Sequence, residues 1–318
     1  MDLQQFLTEW HNDSPTLLVH TSGSTGEPKP MWVEKRRMEA SAQTTCDFLG
    51  LRSGDTALLC LPLDYIAGKM MVVRSLVRNL RLIVVNPSGE PLAEVEEAID
   101  FAAMVPMQVW NALRVSEQRE RLMNIRHLII GGGAIDDHLA AELQTFPNAV
   151  WSTYGMTETL SHIALRRLSG LCATDWYTPF EGVRLSLAAD GCLMIDAPAL
   201  HDGLLITNDI ADLAPDGRFK ILGRKDNVIC SGGLKIQAEE VERLLHPHLS
   251  TPYIITKRKD EKFGEVVVLL TEGDTIAAET ICQRVLPKYW QPHTYVHVER
   301  IPLTPTGKPA RKQAEKLV

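Results

Sequence analysis

Short apolar runs alternate with stretches of helical spacing over the first part of the chain. TLLVHTS, from Thr16, has the run of apolar residues expected of a buried strand that enters a loop. Residues 34–49 carry apolar positions at helical spacing and stop near Gly50, a residue type that ends helices. TALLCLPL predicts a second strand, residues 67–79 a helix, and LRLIVVNPSG a third strand with its turn at Asn86 to Gly89. PLAEVEEAIDFA reads as an acidic helix, and IRHLIIGGGA as a strand ending in glycines. This rhythm predicts a parallel sheet covered by helices. After about residue 180, VRLSLAADGCLMID and DLAPDGRFKILG carry Asp-Gly turns between short strands, the pattern of antiparallel hairpins. From Gly223 a smaller unit follows: AEEVERLLHPHL as a helix, PYIITKRKDEKFGEVVVLLTE as a hairpin, residues 275–288 as a helix, TYVHVERIP as a strand and a basic helix at the end. The predicted class is α/β. A large βα-layered domain with an antiparallel β portion is expected over residues 1–222, and a smaller α+β domain over 223–318.

Bulk properties agree with two domains in 318 residues. The chain is 45% hydrophobic and 23% charged, enough apolar surface for sizeable cores. A net charge of −7 argues against a general nucleic-acid binder. The six cysteines include no CxxC pair, so neither a zinc site nor a redox motif is indicated, and reduced cysteines in the cytoplasm are expected. The acidic start MDLQQFLTEWHND does not read as a signal peptide, and no run has the apolar length of a membrane span.

The chemistry-bearing segments begin with Thr21-Ser-Gly-Ser-Thr-Gly-Glu-Pro-Lys29, which follows a strand. Glycines let backbone approach a ligand, successive N–H groups can form an anion-binding concavity, and the hydroxyls and Lys29 add donors and charge. The spacing is not that of GxxxxGK[ST], and by itself the segment is equally a surface turn. YGMTET then sets Glu158 among small hydroxyl residues, where it can ligate Mg²⁺ beside a triphosphate or cap a helix. TNDIADL places Asp209 at a strand end, to accept from ribose hydroxyls or to make a turn. In GRKDNVICSGGLKIQAEEVE, Arg224 can meet a phosphate or ribose and Asp226 sits where the two predicted domains join. PLTPTGKPAR brackets Lys308 with glycine and proline, although a lone exposed lysine is most often a solvated charge.

The order of these segments, from Leu17 to Lys316, resembles the adenylate-forming superfamily of acyl-CoA synthetases, aryl-CoA ligases, luciferases and adenylation domains. The resemblance implies a phosphate loop at Thr21, Ser22, Gly23, Ser24, Thr25, Gly26 and Lys29. It implies an adenine pocket at Gly131, Gly132, Gly133 and Ala134 with Tyr154 against the base, continued by Gly155, Met156 and Thr157. It also implies a metal-binding and catalytic role for Glu158, ribose contacts from Asp209 and Arg224, a hinge at Asp226 with a mobile C-terminal domain, and an adenylation lysine at Lys308. The cofactors implied are ATP, Mg²⁺ and CoA, and the partner is a small-molecule carboxylate, with no nucleic acid or membrane and with homo-oligomerisation open. LPLDYIAGKMMVVRSL, with proline and glycine six apart and a basic residue at Arg74, is most similar to the o-succinylbenzoate–CoA ligase branch that serves menaquinone synthesis. Tyr65, Lys69 and Arg74 are therefore the expected substrate residues, with helix-surface charge as the alternative for Lys69 and Arg74. Transfer to a carrier-protein phosphopantetheine, or a non-catalytic nucleotide-binding role, are the other functions weighed.

Two departures from the pattern stand out. The phosphate-loop segment begins at residue 21, much earlier than in typical members, so an N-terminally shortened large domain is expected. Asp64 and Tyr65 occupy positions where relatives often carry an aromatic–His pair, and Asp64 is expected to point outward or to pair with a base such as Lys69.

Overall fold

A computed structural model describes residues 1–20, 30–133, 135–303 and 309–318. The contacts divide the chain into two units. The first holds Met1–Leu185, Ile195–Leu205 and Ala214–Phe219, and the second holds Ser186–Met194, Ile206–Leu213 and Lys220–Val318.

The first unit opens with helix α1 (Leu3–His11), whose N-cap Asp2 accepts from the Gln5 amide in a capping box. Strands β1 (Thr16–His20) and β2 (Pro30–Glu34) pair antiparallel and flank the residue 21–29 segment. Helix α2 (Lys35–Leu49) ends at Gly50, which takes the left-handed conformation and returns its N–H to the carbonyls of the last turn. There follow β3 (Thr56–Leu59), α3 (Ile66–Arg78), β4 (Arg81–Val84), β5 (Phe101–Met104), α4 (Pro106–Ala112), α5 (Ser116–Asn124), β6 (His127–Ile130), α6 (Asp137–Gln144), β7 (Ala149–Gly155), β8 (His162–Arg167) and β9 (Thr178–Pro179). The sheet order is β4-β3-β5-β6-β7-β8-β9. The pairs from β4 through β7 are parallel, and β8 and β9 add antiparallel at one edge. All four residues of β3 and of β5 are buried, as expected of parallel strands covered on both faces. Leu58, Met70, Phe101, Leu128 and Ile130 lie in one core with Phe6 of α1 and Met38 of α2.

Strands β10 (Arg184–Leu187), β11 (Cys192–Asp196), β12 (Leu204–Leu213) and β13 (Phe219–Arg224) form a four-stranded sheet in that order, with turns at the expected Asp-Gly positions. The second unit continues with β14 (Val228–Ser231), β15 (Leu234–Gln237), α7 (Ala238–Leu245), β16 (Tyr253–Asp260), β17 (Gly264–Thr271), α8 (Thr275–Val285), β18 (Thr294–His297) and α9 (Arg311–Ala314). Gly232 and Gly233 both have positive φ and make the two-residue turn between β14 and β15. The sheet order is β15-β14-β17-β16, with β18 parallel to β17. Its core gathers Ile236, Val241, Leu245, Ile255, Leu269 and Cys282. Among the described residues no helix is long and apolar enough to cross a membrane.

The α/β class and the antiparallel portion match the sequence reading. The acidic helix over PLAEVEEAIDFA does not. Residues 91–100 are turns and bends, and the last two positions begin β5. Leu92, Val95 and Ile99 are buried, which produces the helical spacing. Yet side chains take up backbone groups of this stretch in place of helical bonds. Arg121 Nη1 donates to the Leu92 and Ala93 carbonyls at 2.7 and 2.6 Å, and Thr56 Oγ1 donates to the Ala98 carbonyl at 2.7 Å.

Candidate active site

In the first unit, β6 and β7 run parallel and end side by side, so Gly131 to Gly133 follow one strand while Thr153 to Gly155 close the other. Such carboxyl ends of parallel strands are where open α/β sheets bind ligands. Gly131 lies so close to Thr153 that a Cβ would overlap the threonine hydroxyl. The missing side chain at Gly131 thus lets β6 and β7 pack closely, and of the three glycines it is Gly132 whose backbone is exposed. Tyr154 stands edge-on to Phe219, with ring centroids 5.1 Å apart, and Tyr177 lies 5.9 Å from it and stacks on Phe219 at 5.4 Å. Ser152 Oγ and the Tyr177 hydroxyl are 2.8 Å apart. The result is an aromatic wall beside the glycines.

After Gly155 the chain turns sharply. A Cβ on Gly155 would overlap the Ser161 carbonyl oxygen, so the chain's return requires a glycine. The Met156 N–H donates to Thr159 Oγ1 at 3.0 Å, and that hydroxyl lies 2.8 Å from the Ser161 carbonyl oxygen. Thr157 and Thr159 are buried, while Glu158 between them is half-buried. No described residue hydrogen-bonds or ion-pairs with the Glu158 carboxylate. Leu160 has φ +65° and ψ −37°, and the Ser161 N–H reaches the Thr159 carbonyl at 2.7 Å. This is the positive-φ γ-turn, strained for a leucine, and the buried Leu160 side chain holds it in the core.

The three expected substrate residues have different surroundings. Tyr65 precedes α3 and is exposed. Lys69 is buried, with Nζ 3.4 Å from the Met1 sulfur and 5.7 Å from the Phe6 ring centroid. Burial lowers its pKa, against the opposing pull of Glu9 and Asp64. Asp64 itself is mostly exposed and accepts from the Met1 ammonium at 3.0 Å, which accounts for its lowered pKa. Arg74 is buried completely and donates from Nη2 to Ser161 Oγ at 2.6 Å. Burial pulls its pKa down to about 10. Of the three, only Arg74 hydrogen-bonds to the segment that carries Glu158.

In the second unit Asp209 of β12, Arg224 at the end of β13 and Asp226 just after it come together. Arg224 donates from Nη1 to Asp209 Oδ1 at 3.1 Å and from Nη2 to Asp226 Oδ2 at 3.4 Å. Asn208 adds a second contact to the same Asp226 oxygen at 3.4 Å. The Gln237 amide holds the Arg224 carbonyl at 3.0 Å. Lys225 pairs with Asp190 at 2.6 Å, and this bond, with the Cys192 N–H, holds the Asp190 carboxyl down to about 2.

Thr21, Ser22, Gly23, Ser24, Thr25, Gly26, Lys29, Ala134 and Lys308 lie outside the described residues. The sequence reading passed over Tyr177, Phe219, Ser161, His162 and Asn208. Their partners lie elsewhere in the chain or one residue off a motif, and nothing local marks them. Among the described residues no three His, Cys, Asp or Glu side chains gather as a metal site.

Residues 3–183 match the family described as AMP-binding enzyme. The 2-succinylbenzoate–CoA ligase of Bacillus mycoides (strain KBAB4) is 25% identical, over 98% of this chain and 72% of its own length. The crystal structure of an acyl-CoA synthetase (AMP-forming)/AMP-acid ligase II-like protein from Dyadobacter fermentans is 31% identical, covers 98% of this chain and 92% of its own, and has a TM-score of 0.67. The fold is also that of the Bacillus subtilis o-succinylbenzoate CoA synthetase in complex with its acyl-adenylate intermediate, with a TM-score of 0.80, 23% identity, and coverage of 94% and 68% of the two chains. The family match takes in Gly131–Gly133, the aromatic Tyr154 and Tyr177, and the Glu158 turn, and the chain belongs to the AMP-binding enzyme family.

Proposed function

We propose that the protein is an AMP-forming acid–thiol ligase, which makes an acyl-adenylate from ATP and a carboxylic acid and then an acyl-CoA. The acid we assign is o-succinylbenzoate, giving o-succinylbenzoyl-CoA for menaquinone synthesis. The observation that carries the reading is the end of β7. There the glycines that follow β6 lie beside the end of β7, Tyr154 stands against Phe219, and the Glu158 carboxylate has no partner among the described residues.

The residues present fit the implied groups. A Mg²⁺ ion bound with a triphosphate takes one or two protein carboxylates and fills its shell with phosphate oxygens and water, and Glu158 is such a carboxylate. The glycines from 131 and the flat ring of Tyr154 suit a nucleobase, with Gly155, Met156 and Thr157 continuing that wall. Asp209, hydrogen-bonded to Arg224, is the ribose-binding carboxylate of this reading. In this reading the phosphate loop is Thr21 to Lys29, the catalytic lysine is Lys308, and Tyr65, Lys69 and Arg74 serve the acid.

Both reactants are anions, so the barrier is largely one of charge. When bound, the metal offsets charge on the phosphoryl oxygens. Lys308 does the same, while the protein's other residues align the acid for in-line attack. No protein nucleophile is required. The second half-reaction uses residues 223–318 as a mobile domain, residues 1–222 being the larger one, with a hinge at Asp226, whose contacts to Arg224 and Asn208 at 3.4 Å are long and easily exchanged.

The test supplies ATP, Mg²⁺, CoA and o-succinylbenzoate and follows pyrophosphate and thioester. Both products are expected. Lys308→Ala is expected to bind ATP but release no pyrophosphate. Absence of pyrophosphate from the unaltered protein would overturn the reading.

A further inference from the structure

Arg74 is a fully buried cation with no carboxylate paired to it among the described residues. Nη1 has only the Met71 sulfur at 3.9 Å, and Nε has no partner among the described residues. A buried charge is ordinarily paired, so this guanidinium calls for an anion that the described residues do not supply.

Its one strong contact leads into a chain of hydrogen bonds across three elements. Arg74 Nη2, on α3, donates to Ser161 Oγ at 2.6 Å. Ser161 Oγ lies 3.2 Å from His162 Nδ1, where β8 begins. His162 Nε2 lies 3.2 Å from Thr45 Oγ1 on α2, and Thr45 Oγ1 donates to the Ser41 carbonyl at 3.0 Å.

One proton assignment satisfies every partner in this chain. A guanidinium can only donate and a carbonyl can only accept. With the Thr45 hydroxyl donating to the Ser41 carbonyl, Thr45 Oγ1 accepts from His162 Nε2–H. His162 is neutral, because burial and the nearby Arg74 charge both disfavour imidazolium. Nδ1 is therefore bare and accepts from the Ser161 hydroxyl, which leaves Ser161 Oγ to accept from Arg74. Phe180 packs edge-on against the His162 ring at 5.4 Å, and the strained turn at Leu160 fixes where Ser161 starts.

We propose that Ser161 and His162 are positioning residues that hold the Arg74 guanidinium, through this one-way chain, to receive a second anionic group on the acyl substrate. The inference rests on the proposed carboxylate activation and adds the residues that set its preference for a diacid. An imidazolium at position 162 would lose its acceptor and reverse the Ser161 bond, so the neutral ring is part of the device.

The test compares o-succinylbenzoate with benzoylpropionate, the same acid without its ring carboxylate, by pyrophosphate release. Ser161→Ala and His162→Leu are expected to raise KM for o-succinylbenzoate by about tenfold, the size of one lost bond to a charged group. KM for benzoylpropionate and for ATP, and kcat for both acids, are expected to stay unchanged. His162→Gln, which keeps an acceptor and a donor, is expected to recover most of the loss. Equal losses for the two acids would show a merely structural role and overturn the inference, as would unchanged KM for o-succinylbenzoate in Ser161→Ala. If the unaltered protein releases no pyrophosphate with either acid, the functional reading falls, and the inference with it.

Discussion

Arg311 and Glu242 are joined by two parallel charge-assisted hydrogen bonds, Nη1 to Oε1 at 2.9 Å and Nη2 to Oε2 at 2.6 Å. The pair ties α9 to α7. Arg311 also donates to the Ile255 carbonyl at 2.7 Å, and Glu242 Oε1 accepts from the Ile255 N–H at 2.8 Å, so the same pair grips β16. One position before Arg311, the Ala310 N–H bonds to the Pro302 carbonyl at 2.8 Å, next to a bridge between Leu303 and Pro309. These contacts anchor both flanks of the segment that contains Lys308.

Removing one partner strands the other in a largely buried setting. Arg311→Ala is expected to destabilise the protein by about 2 kcal/mol, the cost of breaking a partly buried, hydrogen-bonded ion pair. Urea unfolding followed by circular dichroism measures this. Arg311→Lys, with one point charge in place of the fork, is expected to recover only part of it.

Gly155 and Ser161 make a second prediction. Gly155→Ala places a methyl where the Ser161 carbonyl oxygen already sits, and neither strand can yield without moving the Glu158 turn. The expected cost is about 1–3 kcal/mol from overpacking. A thermal melt should show the lowered midpoint, and ATP affinity should fall with it. A variant as stable as the parent would show that the turn can relax.

At Asp226 the prediction concerns the order of events. Asp226→Pro stiffens the backbone at the proposed hinge. Pyrophosphate release is expected to persist while thioester formation drops. The two half-reactions, assayed separately, check this, and equal loss in both would count against a hinge at this residue.

Acid stability carries the signature of His162. Its folded pKa is depressed far below the usual 6.5 by burial and then by Arg74. The unfolded chain therefore takes up this proton first as pH falls. The stability it contributes is fully present above pH 6.5 and is lost progressively below it. The slope is ~1.4 kcal/mol per pH unit for one proton. His127, whose pKa burial also lowers, adds in the same direction. Denaturant midpoints are expected to fall from pH 6.5 towards about pH 5, and less steeply in His162→Gln.

Local signals were enough wherever a residue's surroundings come from its sequence neighbours. The helix over 34–49 was legible because its period and Gly50 both act within a turn or two, and the observed α2 spans Lys35–Leu49. The Asp-Gly turns of the four-stranded sheet were legible for the same reason. The stretch from residue 91 was misread because Leu92, Val95 and Ile99 reach the core at helical intervals. Distant Thr56 and Arg121 claim the carbonyls a helix would use.

By itself the sequence determined the α/β class, the order of the chemistry-bearing segments and the kind of reaction they resemble. Those follow from short-range periodicity and from motifs whose members are contiguous. Only the tertiary structure decided which charges are solvated and which are stranded. Lys69 and Arg74 are five positions apart on α3 and looked alike as basic candidates. One packs against Phe6 and Met1, and the other is driven inward to Ser161, 87 positions away. Desolvation and hydrogen bonding act through space, and the neighbours that impose them come from α1 in one case and from the turn before β8 in the other.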